Sequence, residues 1–555
     1  MRMHLRRRGL VAVGLAGVMA LTACGGSDDS GTGASGDGEA GGTLVFGASA
    51  DPVTLDPAYV SDGESLRVIR QVFEGLVTTE EGGTEVVPAL AEEWENSEDG
   101  LEWTFSLRDG VTFHDGEPFD AEAVCANFDR WYGFTGLQQS SSVSYYYQTV
   151  FGGYENNESE DLSDPLYESC TAQDETTAVI RLTSPSASFL TGLTLPSFSI
   201  ASPKALEEGN ADQVSGNADE PRFEGTFGQE PVGTGPFQFE SWEVGNRLVL
   251  SRFEDYWGEP AKLERLVFRP IAEGPARAQA LQAGEIQAYD GVDPADVERL
   301  RGEGFEILER PAFNVGYIGF NVDVAPLDNL QIRQAIAHAI NREALLQANY
   351  PEGSEVATQF MPPELFGHAD DVPTYDYDPD RARQLIAESG VSNPTLDFWY
   401  PTDVTRPYMP DPAANFQAMQ ADLEAVGFTV NPNSAPWRPD YLAAAQAGSA
   451  PVHLLGWNGD FADPDNFVGT FFRTKQPAWG TLPDEIYTQL EEARTEADLD
   501  RRAELYQAAN RAIMEFLPGV PYVHNKSFLV TAEGVSGLVP SPVSNEVFQN
   551  VTVSG

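Results

Sequence analysis

The stretch GWNGDFADPDNF, residues 456–467, sets three carboxylates, Asp460, Asp463 and Asp465, between Trp457 and Phe467. Carboxylates placed among aromatic rings are costly unless something compensates their charge. A metal ion, a catalytic role, the capping of a helix, or a cation carried in by a bound molecule would each do so. A calcium loop does not fit, because the aspartates do not alternate, no glycine marks the sharp turn, and Pro464 stiffens the middle. A catalytic carboxylate pair drawn from distant strands, as in glycoside hydrolysis, is invisible to local spacing, and nothing else in the chain argues for one.

Other chemical signatures are missing. There is no GxSxG, HExxH or Walker loop, and Gly233-Thr234-Gly235-Pro236 lacks the third glycine of a dinucleotide fingerprint. The histidines, His4, His114, His338, His368, His453 and His524, never fall within one helical turn of each other, so no local metal pair is offered. Only a metal site assembled from distant histidines stays open.

The first residues address compartment. MRMHLRRRG carries four arginines, LVAVGLAGVMAL follows, and LTAC ends at Cys24. A basic segment, a short apolar run and small residues read as a secretory signal; the run is too short for a comfortable membrane span. Leu21-Thr22-Ala23-Cys24 resembles a bacterial lipobox, which implies removal of residues 1–23 and a lipid on Cys24. Residues 24–41, mostly Gly, Ser, Asp and Ala, cannot build a core and are expected to be a flexible tether. An oxidising compartment permits a disulfide between Cys125 and Cys170, the alternative being two buried thiols. A net charge of −53 with only four lysines argues against nucleic acid or anionic lipid as partners.

Residues 42–555 are too many for one core, so two or three domains are expected. Strand and helix signals alternate. GTLVFGAS reads as a strand, and SLRVIRQVFEGL as a helix through Leu66, Ile69, Val72, Phe73 and Leu76. LEWTFSLRDGVTFHDGEPF reads as strands around turns at Asp109-Gly110 and Asp115-Gly116. Asp120 caps a helix carrying Val124, Phe128 and Trp131; LQIRQAIAHAINREALLQ aligns Ile332, Ile336, Ala339 and Ile340 on one face. Asp378, Pro379 and Gly390 start and stop a further helix. Tyr145, Tyr146 and Tyr147 form an aromatic run in a loop-like segment. The pattern is mixed α/β.

Several blocks, in order, resemble the bacterial extracellular solute-binding proteins of the peptide-transporter type, family 5: GTLVFGASADPVTLDP, QVFEGL, VTFHDGEPFDAEAV, PVGTGPFQFESW, FEDYWG, FNVGYIGFNVDVAPLDNLQIRQAIAHAINREAL, GWNGDFADPDNF and ELYQAANRAIMEFLPGVPYVH. RPYMPDPAANFQAMQADLEAVG, from Arg406, and WNGD, residues 457–460, resemble the dipeptide-binding branch. That resemblance implies that Arg406 pairs with a peptide carboxylate and Asp460 with its α-ammonium. It also draws in Tyr408 beside the arginine, Trp457 and Gly459 beside the aspartate, Ser61 and Gly63 of the SDGES loop, and Tyr147, for which core packing is the alternative. Phe461 stands where the family often has tyrosine. Asp463, Asp465 and Asn466 are read as turn and cap residues.

The implied fold is a two-lobed α/β receptor of the periplasmic-binding-protein type (type II, cluster C) with an inserted domain. Lobe I would be 42–77, 198–311 and 526–555; the inserted domain 78–197; lobe III 312–525, with hinges near Pro311–Val315 and His524–Lys526. The implied protein is monomeric, works without cofactor or metal, catalyses nothing, and is anchored outside the cell membrane. It would serve an ABC permease with cytoplasmic ATPases. Its cargo would be short peptides; oligopeptides, haem, 5-aminolevulinate, an oligosaccharide or a nickel chelate are the alternatives. A secreted hydrolase on the same fold is the other rival.

Overall fold

The computed structural model describes residues 41–160, 162–218 and 220–554, so the expected signal sequence, Cys24 and nearly all of the expected tether lie outside the described residues. Three large sheets organise the chain. A seven-stranded sheet runs in the order Phe237–Glu243, Arg247–Arg252, Arg265–Pro270, Thr43–Ala48, Ala288–Asp290, Ser527–Thr531, Glu306–Arg310. A five-stranded sheet runs Thr429–Ala435, Thr395–Pro401, Val452–Asn458, Asn314–Phe320, Gly519–Val523. A four-stranded antiparallel sheet is built from Ala91–Asn96, Glu102–Leu107, Thr177–Leu182 and Tyr167–Asp174. Helices cover each, as a sheet's apolar faces require. Among the described residues no helix is long and apolar enough to cross a membrane.

Local chemistry explains most boundaries. Asp120 and Asp378 each accept a backbone N–H from the first helical turn, at 2.8 and 2.9 Å. Ile332, Ile336, Ala339 and Ile340 are all buried, yet the run makes two helices, Leu330–Ala339 and Arg342–Asn349, because Asn341 turns aside and caps the second. The helix expected to reach Leu76 ends at Val72. The Val72 carbonyl, which another turn would need, accepts the N–H of Gly235 at 2.9 Å instead. VTFHDGEPF makes a single bridge, Thr112 to Pro118, rather than a strand pair. The tyrosine run is helical, Tyr145–Phe151, not a loop. Cys125 and Cys170 form a disulfide that ties the helix Ala121–Tyr132 to the strand Tyr167–Asp174 across 45 residues.

Side-chain chemistry brings distant blocks together. Glu74 of QVFEGL accepts hydrogen bonds from Thr234 at 2.8 Å, Tyr256 at 2.7 Å and Trp257 at 2.8 Å. Burial pushes its carboxyl up, and the three donors oppose that shift. His114 accepts the Gly233 N–H on Nδ1 and donates from Nε2 to the Gly235 carbonyl.

The chain passes between the seven- and five-stranded sheets twice, through 311–313 and 524–526. Arg310, at the edge of the first passage, and Arg67 both bond Asp290 and Glu546 in a buried cluster of alternating charges. Those guanidiniums hold the Asp290 carboxyl below the usual range against the effect of burial. At the passages the Asn314 side chain grips the Asn525 backbone, its Nδ2 donating to the Asn525 carbonyl at 2.7 Å and its Oδ1 accepting the Asn525 N–H at 2.9 Å. The two crossings are thereby fastened side by side.

Candidate functional site

The strand Val452–Asn458 delivers Asp460. It pairs antiparallel with Asn314–Phe320, and the Gly459 N–H carries the contact one step further, to the Phe313 carbonyl at 2.8 Å. A Cβ on Gly459 would lie 2.1 Å from the Phe313 ring, so only glycine fits. On the other side Phe461 is buried in the aromatic core of the four-stranded body. Burying that ring contributes roughly 2–3 kcal/mol. Asp460 is therefore held between two fixed neighbours.

The three carboxylates of this stretch fare differently. Asp463 is paired with Arg502 at 2.6 and 2.8 Å, both side chains 1% exposed, and also caps the short turn Pro464–Asn466. Asp465 is paired with Arg473 at 2.5 Å. Asp460 has no cationic partner among the described residues. It accepts the Tyr146 hydroxyl at 2.8 Å and the Asn466 amide at 3.4 Å, while the Asn466 Oδ1 takes the Asp460 N–H at 2.8 Å and the Trp457 indole N–H at 3.3 Å. Asp460 keeps some contact with solvent, yet surrounding protein strips enough water to push its carboxyl up to about 6, the Tyr146 and Asn466 bonds opposing this. Burial and the Asp460 charge together push the hydroxyls of Tyr145 and Tyr146 well up.

Arg406 is seated on the same sheet. Its turn is closed by bonds between the Arg406 and Met409 backbones at 3.1 and 2.9 Å. The Tyr408 ring fits over Gly456, where a Cβ would lie 2.3 Å from it, and the Tyr408 carbonyl sits over Gly316, the partner of Gly456 across the strands. Two facing glycines thus make the groove that receives the turn. Asp460 follows Gly456 by four residues, a span of at most ~14 Å in extended chain. The Arg406 guanidinium lies 4.6 Å from the Trp437 ring centroid, stacked by a cation–π contact, and among the described residues no carboxylate pairs with it.

The remaining expected residues are spread around these two poles. Trp457 is half-buried, edge-on to Phe471. Ser61 and Gly63 are exposed and flank Asp62, which caps the helix Gly63–Val72 and lies near enough to Tyr146 to raise its hydroxyl electrostatically. Tyr147 lies in the aromatic core, stacked on Phe151 and Tyr154. Its neighbour Tyr146 is the one that reaches Asp460. Sequence reasoning left Tyr146, Asp62 and Trp437 without roles of their own; the tyrosine run and the SDGES loop were the signals in hand, and the helical register of the run was the missing fact. The described histidines all bond the fold itself: His338 the Asp376 carbonyl, His453 that of Ala450, His524 that of Asn314, His368 the Gln359 amide, and His114 the glycine turn.

The arrangement offers one uncompensated acid and one uncompensated base on a common sheet, with tyrosines around the acid. Such a pair suits a zwitterion. Comparison with known proteins agrees in kind. Residues 85–479 match the family described as bacterial extracellular solute-binding proteins, family 5. The chain is similar to the dipeptide-binding protein of Escherichia coli strain K12, 31% identical over 569 residues and the whole of both chains. It is also similar to heme-binding protein A of Haemophilus influenzae, 31% identical over 526 residues and 92% of each chain. Among solved structures it is similar to the ABC transporter-associated periplasmic binding protein DppA from Helicobacter pylori in complex with the peptide STSA. The two are 28% identical with a TM-score of 0.75, covering 93% of this chain and 99% of that one.

Proposed function

We propose, because this chain belongs to the bacterial extracellular solute-binding proteins of family 5, that it captures short peptides, dipeptides foremost, and delivers them to an ABC importer. The observation that carries this reading is the unpaired Asp460 beside two aspartates that each hold an arginine. A largely desolvated carboxylate without a counter-ion is tolerable when the ligand supplies one. In this reading Asp460 takes the α-ammonium, with Tyr146 and Asn466 fixing its orientation. Arg406, faced by Trp437, takes the α-carboxylate through its free edge. Trp457 walls the pocket. Tyr408 seats the arginine rather than touching cargo, Gly459 admits Phe313, and Asp62, between Ser61 and Gly63, faces the site from the seven-stranded side. Tyr146 replaces Tyr147 as the contributing tyrosine.

The cycle follows from the two crossings. We divide the chain into a body on the seven-stranded sheet (42–77, 198–311, 526–555), the inserted four-stranded body (78–197) and the five-stranded body (312–525). Cargo touched from several bodies favours the closed form. The receptor performs no chemistry on its cargo, acts as a monomer, and is held outside the membrane by a lipid on Cys24. The similarity to a protein solved with STSA supports longer peptides as a second reading. Native mass spectrometry of ligand carried through purification separates the two by mass; a haem adduct would reject both.

Two outcomes test the poles. Arg406→Ala is expected to weaken a free dipeptide by about 30-fold or more while changing its C-terminal amide far less, as for loss of one charged, hydrogen-bonded contact. Equal losses in calorimetry would reject the carboxylate role. For Asp460, ionisation is what ammonium pairing requires. Dipeptide affinity should therefore fall as pH drops below about 6, and binding near that pH should release a proton. The same upward shift means that this group stabilises the empty protein fully at low pH. That contribution is lost as pH rises through about 6. Calorimetry in buffers of different ionisation enthalpy reads the proton directly; no buffer dependence near pH 6 would count against the assignment.

A further inference from the structure

The turn that carries Arg406 is bonded to the hinge. Asn525, buried within the 524–526 passage, donates from Nδ2 to the Pro407 carbonyl, the carbonyl next along from Arg406. Its Oδ1 accepts the Ser354 hydroxyl at 2.7 Å, and its backbone N–H and carbonyl are the ones held by Asn314 on the other passage. Every polar group of Asn525 is thus engaged, on three separate segments. The next carbonyl of the turn, that of Tyr408, accepts the Tyr350 hydroxyl at 3.2 Å, and Asn415 in turn donates to that hydroxyl. Pro407 has no N–H of its own, and these accepted bonds set the planes of the Pro407–Tyr408 and Tyr408–Met409 peptides.

We propose that Asn525 is a positioning residue that couples the hinge to the carboxylate clamp, an inference that rests on the reading of Arg406 as that clamp. Lys526, the next residue, belongs to the seven-stranded body, so rotation about the passages acts on the peptide that joins it to Asn525, and the Pro407 carbonyl follows its donor. The guanidinium is then aimed at the cargo's carboxylate as the bodies close, and is released from that aim as they open. A residue that merely braced the hinge would affect all cargo alike; one that aims Arg406 affects only cargo with a free carboxylate.

The test is calorimetry with Ala-Ala and its C-terminal amide on wild-type protein, Asn525→Asp, Arg406→Ala and the double variant. Asn525→Asp keeps the side chain's shape and the Ser354 bond but replaces the Nδ2 donor by a charged oxygen facing the Pro407 carbonyl, so Tyr350→Phe, which adds no charge, is measured beside it. Asn525→Asp is expected to reduce the preference for free acid over amide by about fivefold, as for one hydrogen bond, leaving amide affinity within about twofold. In the Arg406→Ala background it should change that preference no further. Equal weakening of both probes by Asn525→Asp, with Arg406→Ala still selective, overturns the coupling and leaves the clamp standing. An unchanged preference in Arg406→Ala overturns the clamp, and the coupling with it. Tyr350→Phe withdraws the donor on the Tyr408 carbonyl, keeps the ring, and carries the same expectation, so the test survives if Asn525→Asp does not fold.

Discussion

Asp460→Asn will bind dipeptides at least about 100-fold more weakly than the wild-type protein, with an unfolding temperature unchanged or higher. The affinity loss follows from removing one partner of an enclosed charge pair, an effect of about 2–5 kcal/mol. The stability follows from the empty state. There the carboxylate has no cation among the described residues, and its carboxyl is pushed up to about 6, so the folded protein gains nothing from its charge at neutral pH. Asparagine keeps the shape and an acceptor for the Tyr146 hydroxyl. Titration calorimetry and differential scanning calorimetry on the same preparation decide it. Unchanged affinity would remove Asp460 from the site, and a large drop in unfolding temperature would make it structural.

The opposite outcome is expected three residues further on. Arg502→Ala should destabilise the protein by about 3–5 kcal/mol, because it strands Asp463 as a buried, uncompensated charge. The guanidinium also donates to the Ala493 carbonyl at 2.9 Å and lies 5.2 Å from the ring centroids of both Phe366 and Tyr506, so packing is lost as well. Removing both charges, in Arg502→Met with Asp463→Asn, should restore much of the loss. Denaturant unfolding measures both variants. If the double variant were as unstable as the single one, packing rather than charge would be the larger contribution of Arg502.

These contrasting aspartates mark where reading the sequence stops. Their types and spacing excluded a calcium loop and raised the idea of a guest cation. Which of them is free depends on Arg502, 39 residues away from Asp463, and on Tyr146, 314 residues away from Asp460, and no local pattern encodes such distances. Short-range chemistry was legible: Asp120 and Asp378 cap within three residues of themselves, and the Ile332–Ile340 face follows from helical period alone. The helix running on past Val72 was misjudged because periodicity cannot see a competing donor from Gly235. Trp437 and Asn525 were out of reach for the same reason, since their roles exist only once the Arg406 turn rests on its glycine groove.

The two hydrogen bonds between the Asn314 side chain and the Asn525 backbone place both ends of the intervening two hundred or so residues at one spot. In the language of gene architecture, that stretch is a cassette spliced into its host through adjacent entry and exit points. Domain insertions are tolerated where termini lie close together. A graft of the equivalent stretch from a relative would therefore need to match two neighbouring junctions and the seat that Phe461 and Asp460 find against the four-stranded body, which makes the exchange more a matter of joinery than of redesign.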